Sequence, residues 1–265
     1  MLAQLLRRAS EALFPMSCET CEEPVGDSPT PFFCRTCWEL IRPFQGPACP
    51  RCHRPHASSV ALTHSPGHEC RECRLHEPHY NRAWTLYPYC PPLQDAITLF
   101  KYRSKVALAD PLSTLLIRAL PSNLAVDLVM PVPLHPERLR IREFNQSLLL
   151  ADRVAAFLGQ QLSYRNLVRV IDTTPQTGLA RSARLQNLRK AFAVRTAHEI
   201  VGKGILLVDD VFTTGTTVNE CAKVLRGAGA AQITVLALAR SVDVSMVPDT
   251  VLPPSAFNRT QQVRS

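Results

Sequence analysis

The segment Ile205-Leu206-Leu207-Val208-Asp209-Asp210-Val211-Phe212-Thr213-Thr214-Gly215-Thr216-Thr217 constrains the fold of this chain more than any other. Four successive apolar residues, with no polar alternation, suit a strand buried on both faces, which belongs in a parallel sheet covered by helices. Two adjacent carboxylates stand at the carboxyl edge of that strand. A small hydroxyl-rich loop then leads into a helix from about Thr216 to Arg226, closed by Gly227 and Gly229. Loop amides and threonine hydroxyls converging on a helix N-terminus form an anion cradle, and Gly215 permits close backbone approach. Twin carboxylates would repel a bare phosphate. They suit one carried on a ribose whose two hydroxyls need acceptors, held in the crevice beyond the strand ends. A Gly-Lys-Ser/Thr P-loop ending and a Gly-x-Gly-x-x-Gly turn are both missing, which removes the commoner nucleotide-binding readings.

The surrounding chain supports an α/β fold. Leu93–Tyr102 and Leu108–Leu120 read as helices, and Leu128–Val132 as a buried strand ending at Pro133. Phe144, Leu148, Ala151, Ala155 and Leu158 recur at helical spacing, and Ile233–Ala239 supplies a further strand. Strands alternating with helices predict a parallel sheet with helices on both faces. The formal charge of +8, from 30 basic and 22 acidic residues, favours a polyanionic ligand. No run reaches the roughly 18 apolar residues of a membrane span. At the start, Arg7 and Arg8 sit inside the apolar stretch of Met1–Pro15, so a short amphipathic helix is expected there rather than a signal peptide. The expected location is therefore cytoplasmic.

Eight of the ten cysteines form four Cys-x-x-Cys pairs before residue 74. Cys18/Cys21 and Cys34/Cys37 are 12 residues apart, and Cys49/Cys52 and Cys70/Cys73 are 17 apart. Each turn offers two thiolates, and two turns close a tetrahedron around Zn²⁺. Two zinc sites of four cysteines each are expected, structural because four thiolates leave no open position. Pairing by sequence neighbour is expected, with interleaved pairing the alternative. His53, His56, His64, His68, His76 and His79 crowd the region and could replace a cysteine.

The string from Ile205 to Thr217 resembles the phosphoribosyl-pyrophosphate signature of type I phosphoribosyltransferases. The resemblance implies that Asp209 and Asp210 hold the ribose hydroxyls and that Thr213, Thr214, Gly215, Thr216 and Thr217 hold the 5′-phosphate. Mg²⁺ is implied with the ligand. Paired cysteine knuckles ahead of such a domain resemble the ComF/GntX family, linked to DNA uptake in natural competence, over about Cys18 to Arg240. Phe100-Lys101-Tyr102-Arg103 resembles one family element, with Ser104 where glycine is expected. Pro131-Val132-Pro133-Leu134-His135, with Arg138, Arg140 and Phe144-Asn145-Gln146, resembles the family's pyrophosphate-side loop, with Glu143 where glycine is usual. Pro133 and Leu134 are accordingly expected at the ligand. Arg169, Thr174, Gln176, Leu179, Arg184, Asn187 and Phe192 match the family's long flexible segment in spacing. The basic stretch from Arg165 to Arg195 is expected to fold over pyrophosphate.

The expected organisation is a zinc-ribbon module with a short N-terminal helix over 1–80, a phosphoribosyltransferase-like domain over 81–245 and a flexible tail over 246–265. Two functions compete. One is a protein that binds phosphoribosyl pyrophosphate and handles single-stranded DNA, with proteins of a DNA-uptake machinery as implied partners and Trp38, Trp84, Tyr87 and Tyr89 as candidate stacking groups. The other is an active phosphoribosyltransferase acting on an unidentified acceptor. There Lys101, Arg103, Arg138 and Arg184 would neutralise the leaving pyrophosphate, with Asp209 and Asp210 at the catalytic centre.

Overall fold

The computed structural model describes residues 16–56, 67–121, 124–170 and 191–242. The expected N-terminal helix, the tail expected over 246–265, and Arg184 with most of its basic segment lie outside the described residues.

The cysteine region repeats one local device. Cys18 and Cys49 each open a tight knuckle, in which a bridge joins Ser17 to Pro24 and Ala48 to Pro55. Glu22 and His53 take φ of 66° and 58° at corresponding places, so each chain end turns back to offer its second thiol on the same side. The partner pairs start short helices, α1 (Arg35–Glu39) capped by Cys34 and α2 (Arg71–Leu75) capped by Cys70.

The chain then enters the sheet as β1 (Arg82–Pro88), followed by α3 (Leu93–Tyr102) and α4 (Ala109–Arg118). The helix expected over Leu108–Leu120 starts later, because Val106–Leu108 is a 3-10 turn. Next come β2 (Leu128–Pro131), the short helix α5 (Pro136–Arg142), α6 (Gln146–Leu158) and β3 (Gln161–Leu162). Phe144 precedes α6 rather than joining it. Asn145 caps the helix by accepting from the Ser147 amide at 3.0 Å, and the Phe144 ring packs on Phe100. An antiparallel pair, β4 (Leu167–Arg169) and β5 (Phe192–Val194), brackets the basic segment. The chain continues as β6 (Gly204–Phe212), α7 (Thr216–Gly227) and β7 (Gln232–Arg240).

All five strands of the main sheet are parallel, in the order β1-β7-β6-β2-β3. Period-two alternation in the central strands feeds two cores. Leu206, Val208, Leu236 and Leu238 meet α3, α4, α6 and residues of the first cysteine quartet, while Ile205, Leu207, Ile233 and Val235 meet α7, β5 and the second quartet. Each of these strand side chains is fully buried, worth about 1.5–3 kcal/mol of apolar transfer apiece. Among the described residues, no helix is long and apolar enough to cross a membrane.

Candidate functional site

The order of strands creates a crevice between β2 and β6. The chain leaves β2 for α6 on one face, whereas it leaves β6 for α7 on the other, so the two connections diverge above the carboxyl ends of these neighbours. The strand expected over Ile205–Val208 continues to Phe212. Its pairing with β2 nevertheless stops at Pro131↔Val208, and beyond that step only β7 accompanies it. Asp209 and Asp210 are therefore the first residues of β6 beyond the end of β2.

Adjacent strand residues point to opposite faces, and the two acids are held differently. Asp210 is 7% exposed and ion-paired with Lys101 of α3, Nζ to Oδ1 at 2.7 Å. Asp209 is half-buried, and its Oδ1 accepts from the Ser147 hydroxyl at 3.1 Å and from the Asp210 amide at 2.9 Å. Burial, then the charge of Asp210, push the Asp209 carboxyl up to about 7; Lys101 and the two donors pull the other way. Burial lowers the Lys101 ammonium, but Asp210 and then Asp209 more than offset this, so its pKa ends above the ordinary lysine value.

Lys101 was expected to face pyrophosphate; its ammonium is instead committed to Asp210. Arg103 caps α3 and is exposed, and Arg138 lies half-exposed on α5, which buries no residue. Pro133 and Leu134 are half-buried between β2 and α5. Ser104 and Glu143, the two places where glycine was expected, both take left-handed backbone, with φ of 49° and 65°. The glycine expectation thus marks a real turn requirement, which this chain meets with side chains that disfavour it.

The threonine loop closes the other flank. Thr213 and Thr214 are exposed, and Thr214 and Thr216 share a hydroxyl hydrogen bond of 2.8 Å. Gly215 caps α7 at φ 77° with no side-chain cap. A Cβ there would lie 2.5 Å from Phe212 Cζ, so the glycine is required by that ring as well as by its φ. The loop also lines a cavity of about 570 Å³, whose other wall is the second knuckle region: Arg54, Glu72, His76 and Tyr80. Arg240, 2% exposed, ends β7 at this wall. Its Nη1 donates to the Cys52 carbonyl at 2.8 Å, and its guanidinium lies 4.6 Å from the Phe212 ring centre.

Ser147 and Arg240 were not anticipated. The first is the residue after the Phe144-Asn145-Gln146 string; the second is a lone charge ending the apolar run from Ile233, an exception that can be seen in the sequence. Three of the four candidate stacking groups are engaged elsewhere: Tyr87 is buried with its hydroxyl on the Leu115 carbonyl, Trp38 packs on Phe33, and Trp84 on His53; Tyr89 is half-buried near Lys101.

The cysteines cluster by sequence neighbour, as Cys18/Cys21/Cys34/Cys37 and Cys49/Cys52/Cys70/Cys73, with all ligand atoms of a set within 4.8 Å of one another. Four sulfurs at about 2.3 Å from a tetrahedral zinc lie about 3.8 Å apart; Cys21–Cys34 and Cys52–Cys70 are at 3.7 and 3.6 Å. Hydrogen bonds from Cys52 and Cys73 hold Cys49 far below the usual thiol value, while Cys49 and Cys52 push Cys73 far above it. This dense sulfur donor set fits structural zinc. Among the described residues no histidine joins either set; His53 instead bonds the Thr85 carbonyl through Nδ1 at 2.9 Å.

Sheet order, crevice and twin quartets together define a phosphoribosyltransferase-like α/β protein with a double zinc ribbon. Residues 145–251 match the phosphoribosyl transferase domain family, and residues 9–74 the double zinc ribbon domain family. Competence protein F of Haemophilus influenzae is 31% identical over 78% of this chain and 90% of its own length. DNA utilization protein YhgH of Escherichia coli is 34% identical over 73% and 84%, and competence protein ComFC of Bacillus subtilis 26% identical over 78% and 84%. The chain belongs to the ComF family.

Proposed function

We propose that this protein binds phosphoribosyl pyrophosphate with Mg²⁺ in the β2/β6 crevice and handles single-stranded DNA in the cytoplasm during DNA uptake. The observation that carries the reading is the placement of Asp209 and Asp210 at the topological switch, next to a helix N-terminus whose cap residue, Gly215, has no side chain and which is flanked by threonines. In this reading the acids accept from the ribose hydroxyls, the loop from Thr213 to Thr217 donates to the 5′-phosphate, and Pro133 and Leu134 border the pyrophosphate side. Magnesium would arrive on the ligand's own oxygens and neutralise part of its charge. Ser147 holds one carboxylate in place and Lys101 the other, so the acceptors are pre-oriented.

The DNA part of the reading draws on the names of the relatives and on the surface beside the crevice. Arg138, Arg140 and Arg142 project from α5, Ile141 is 81% exposed, and Arg142 lies 4.9 Å from the ring centre of Tyr102, itself 67% exposed. Cations for phosphates next to an exposed aromatic suit a single strand. Calorimetric titration with phosphoribosyl pyrophosphate and Mg²⁺ should give saturable binding to the wild type and none to Asp209→Asn/Asp210→Asn, with zinc content unchanged. Equal binding by the two proteins would refute the site assignment.

A further inference from the structure

We infer that the cavity between the second zinc ribbon and the threonine loop receives the penultimate nucleoside of a single nucleic-acid strand whose 3′-terminal nucleotide occupies the twin-acid crevice. This rests on the proposed ligand reading and extends it from a free metabolite to a strand end.

The geometry begins with the loop, which acts as a partition. Thr213, Thr214, Gly215 and Thr216 line the cavity of about 570 Å³, whereas Asp209, Asp210, Lys101, Pro133 and Leu134 do not. The crevice with its acids therefore lies to one side of the loop and the cavity to the other. A site built only for a terminal phosphate needs nothing beyond its cradle. Here the space beyond falls within the roughly 300–1,000 Å³ of small-molecule sites and has the lining a nucleoside requires. Tyr80, Phe212 and Pro78 give it an apolar and aromatic side, and Arg54, His76 and Asn219 a polar one; Glu72 is the one acid among the described lining residues. Arg54, exposed on this wall, brings a cation suited to a diester phosphate, and Arg240, buried with its guanidinium on the Cys52 carbonyl, adds positive charge beneath it.

Polarity follows from chemistry. Carboxylates can accept only from free hydroxyls, and an internal nucleotide has its 3′-oxygen esterified. Only the last nucleotide of a strand offers a free 3′-hydroxyl to Asp209 and Asp210 while its 5′-phosphate, now a diester, lies on the threonine loop. The nucleoside on the far side of that phosphate then falls in the cavity. A 3′-phosphate would bring two further negative charges against two buried or half-buried acids, and is excluded.

The test uses the full zinc-loaded chain and a 5′-fluorescein oligothymidylate, ending in either a 3′-hydroxyl or a 3′-phosphate, read by fluorescence anisotropy. The 3′-hydroxyl strand should bind roughly tenfold or more tightly than the 3′-phosphate strand and be displaced by phosphoribosyl pyrophosphate with Mg²⁺. Arg54→Ala, an exposed change, should weaken the strand several-fold and leave phosphoribosyl-pyrophosphate affinity unaltered. An oligouridylate arm separates the two sources of such an end, because RNA offers a second hydroxyl; tighter binding of RNA than DNA would assign the site to RNA ends. If phosphoribosyl pyrophosphate binds but the two 3′ ends bind equally, or Arg54→Ala is silent on the strand, the strand-end inference is overturned and the ligand reading stands. If phosphoribosyl pyrophosphate does not bind at all, both fall.

Discussion

Replacing Gly215 with alanine tests whether the threonine loop is held by the ring beneath it. The added Cβ would sit 2.5 Å from Phe212 Cζ and 2.8 Å from Cε1, well inside contact distance. Phe212 is 2% exposed and packed edge-on against Tyr80, so it cannot swing aside freely. The residue also has φ 77°, where an L side chain costs about 1–2 kcal/mol. Overpacking a full core adds about 1–3 kcal/mol. The expected loss is therefore about 2–5 kcal/mol, read as a lower urea midpoint by tryptophan fluorescence, with weaker phosphoribosyl-pyrophosphate binding as the loop is displaced. Gly227→Ala is the matched control in the same helix: its Cβ meets nothing within 4 Å, and alanine there should be neutral or stabilising by up to about 1 kcal/mol. Combining Gly215→Ala with Phe212→Leu should recover the steric share and leave the backbone share. If Gly215→Ala and Gly227→Ala melt alike, the account of the loop is wrong.

The remaining expectations concern protons and metal. Asp209 has a folded-state pKa of about 7 against an ordinary 3.8, so between those values the unfolded chain holds fewer protons and stability falls as pH rises, levelling off above 7. Asp209→Asn mimics the protonated acid; it should raise the melting temperature modestly at pH 5, where part of that loss has already occurred, and considerably more at pH 8, and an equal effect at both would contradict the burial argument. Metal analysis should find two zinc ions per chain, with one lost in Cys21→Ser and one in Cys52→Ser; a single ion in the wild type would show that one quartet is not a site. Stripping both with a chelator should lower the melting temperature, because residues of each quartet contribute to a core shared with the sheet.

What could be read without coordinates was local in the chain. The apolar run of β6, the acids and threonines after it, the glycines closing α7 and the cysteine knuckles all lie within a few residues of one another. Periodicity and turn chemistry therefore announce them. The β4/β5 pair escaped because each strand is only three residues, and β1, seven residues long, because its burial pattern lacks clean alternation, so that tertiary packing decides their state.

The sequence by itself determined that a buried parallel strand carries twin carboxylates into a threonine-rich helix start, and that eight cysteines form metal quartets, since covalent spacing enforces both. The tertiary structure decided which carboxylate meets Lys101, that Ser147 reaches Asp209 across 62 residues, and that Arg240 ties the Cys52 knuckle to the loop across 188. Those contacts depend on strand order and on which face each helix crosses. Such choices are made by the summed burial of the whole chain, and no local pattern of residues encodes them.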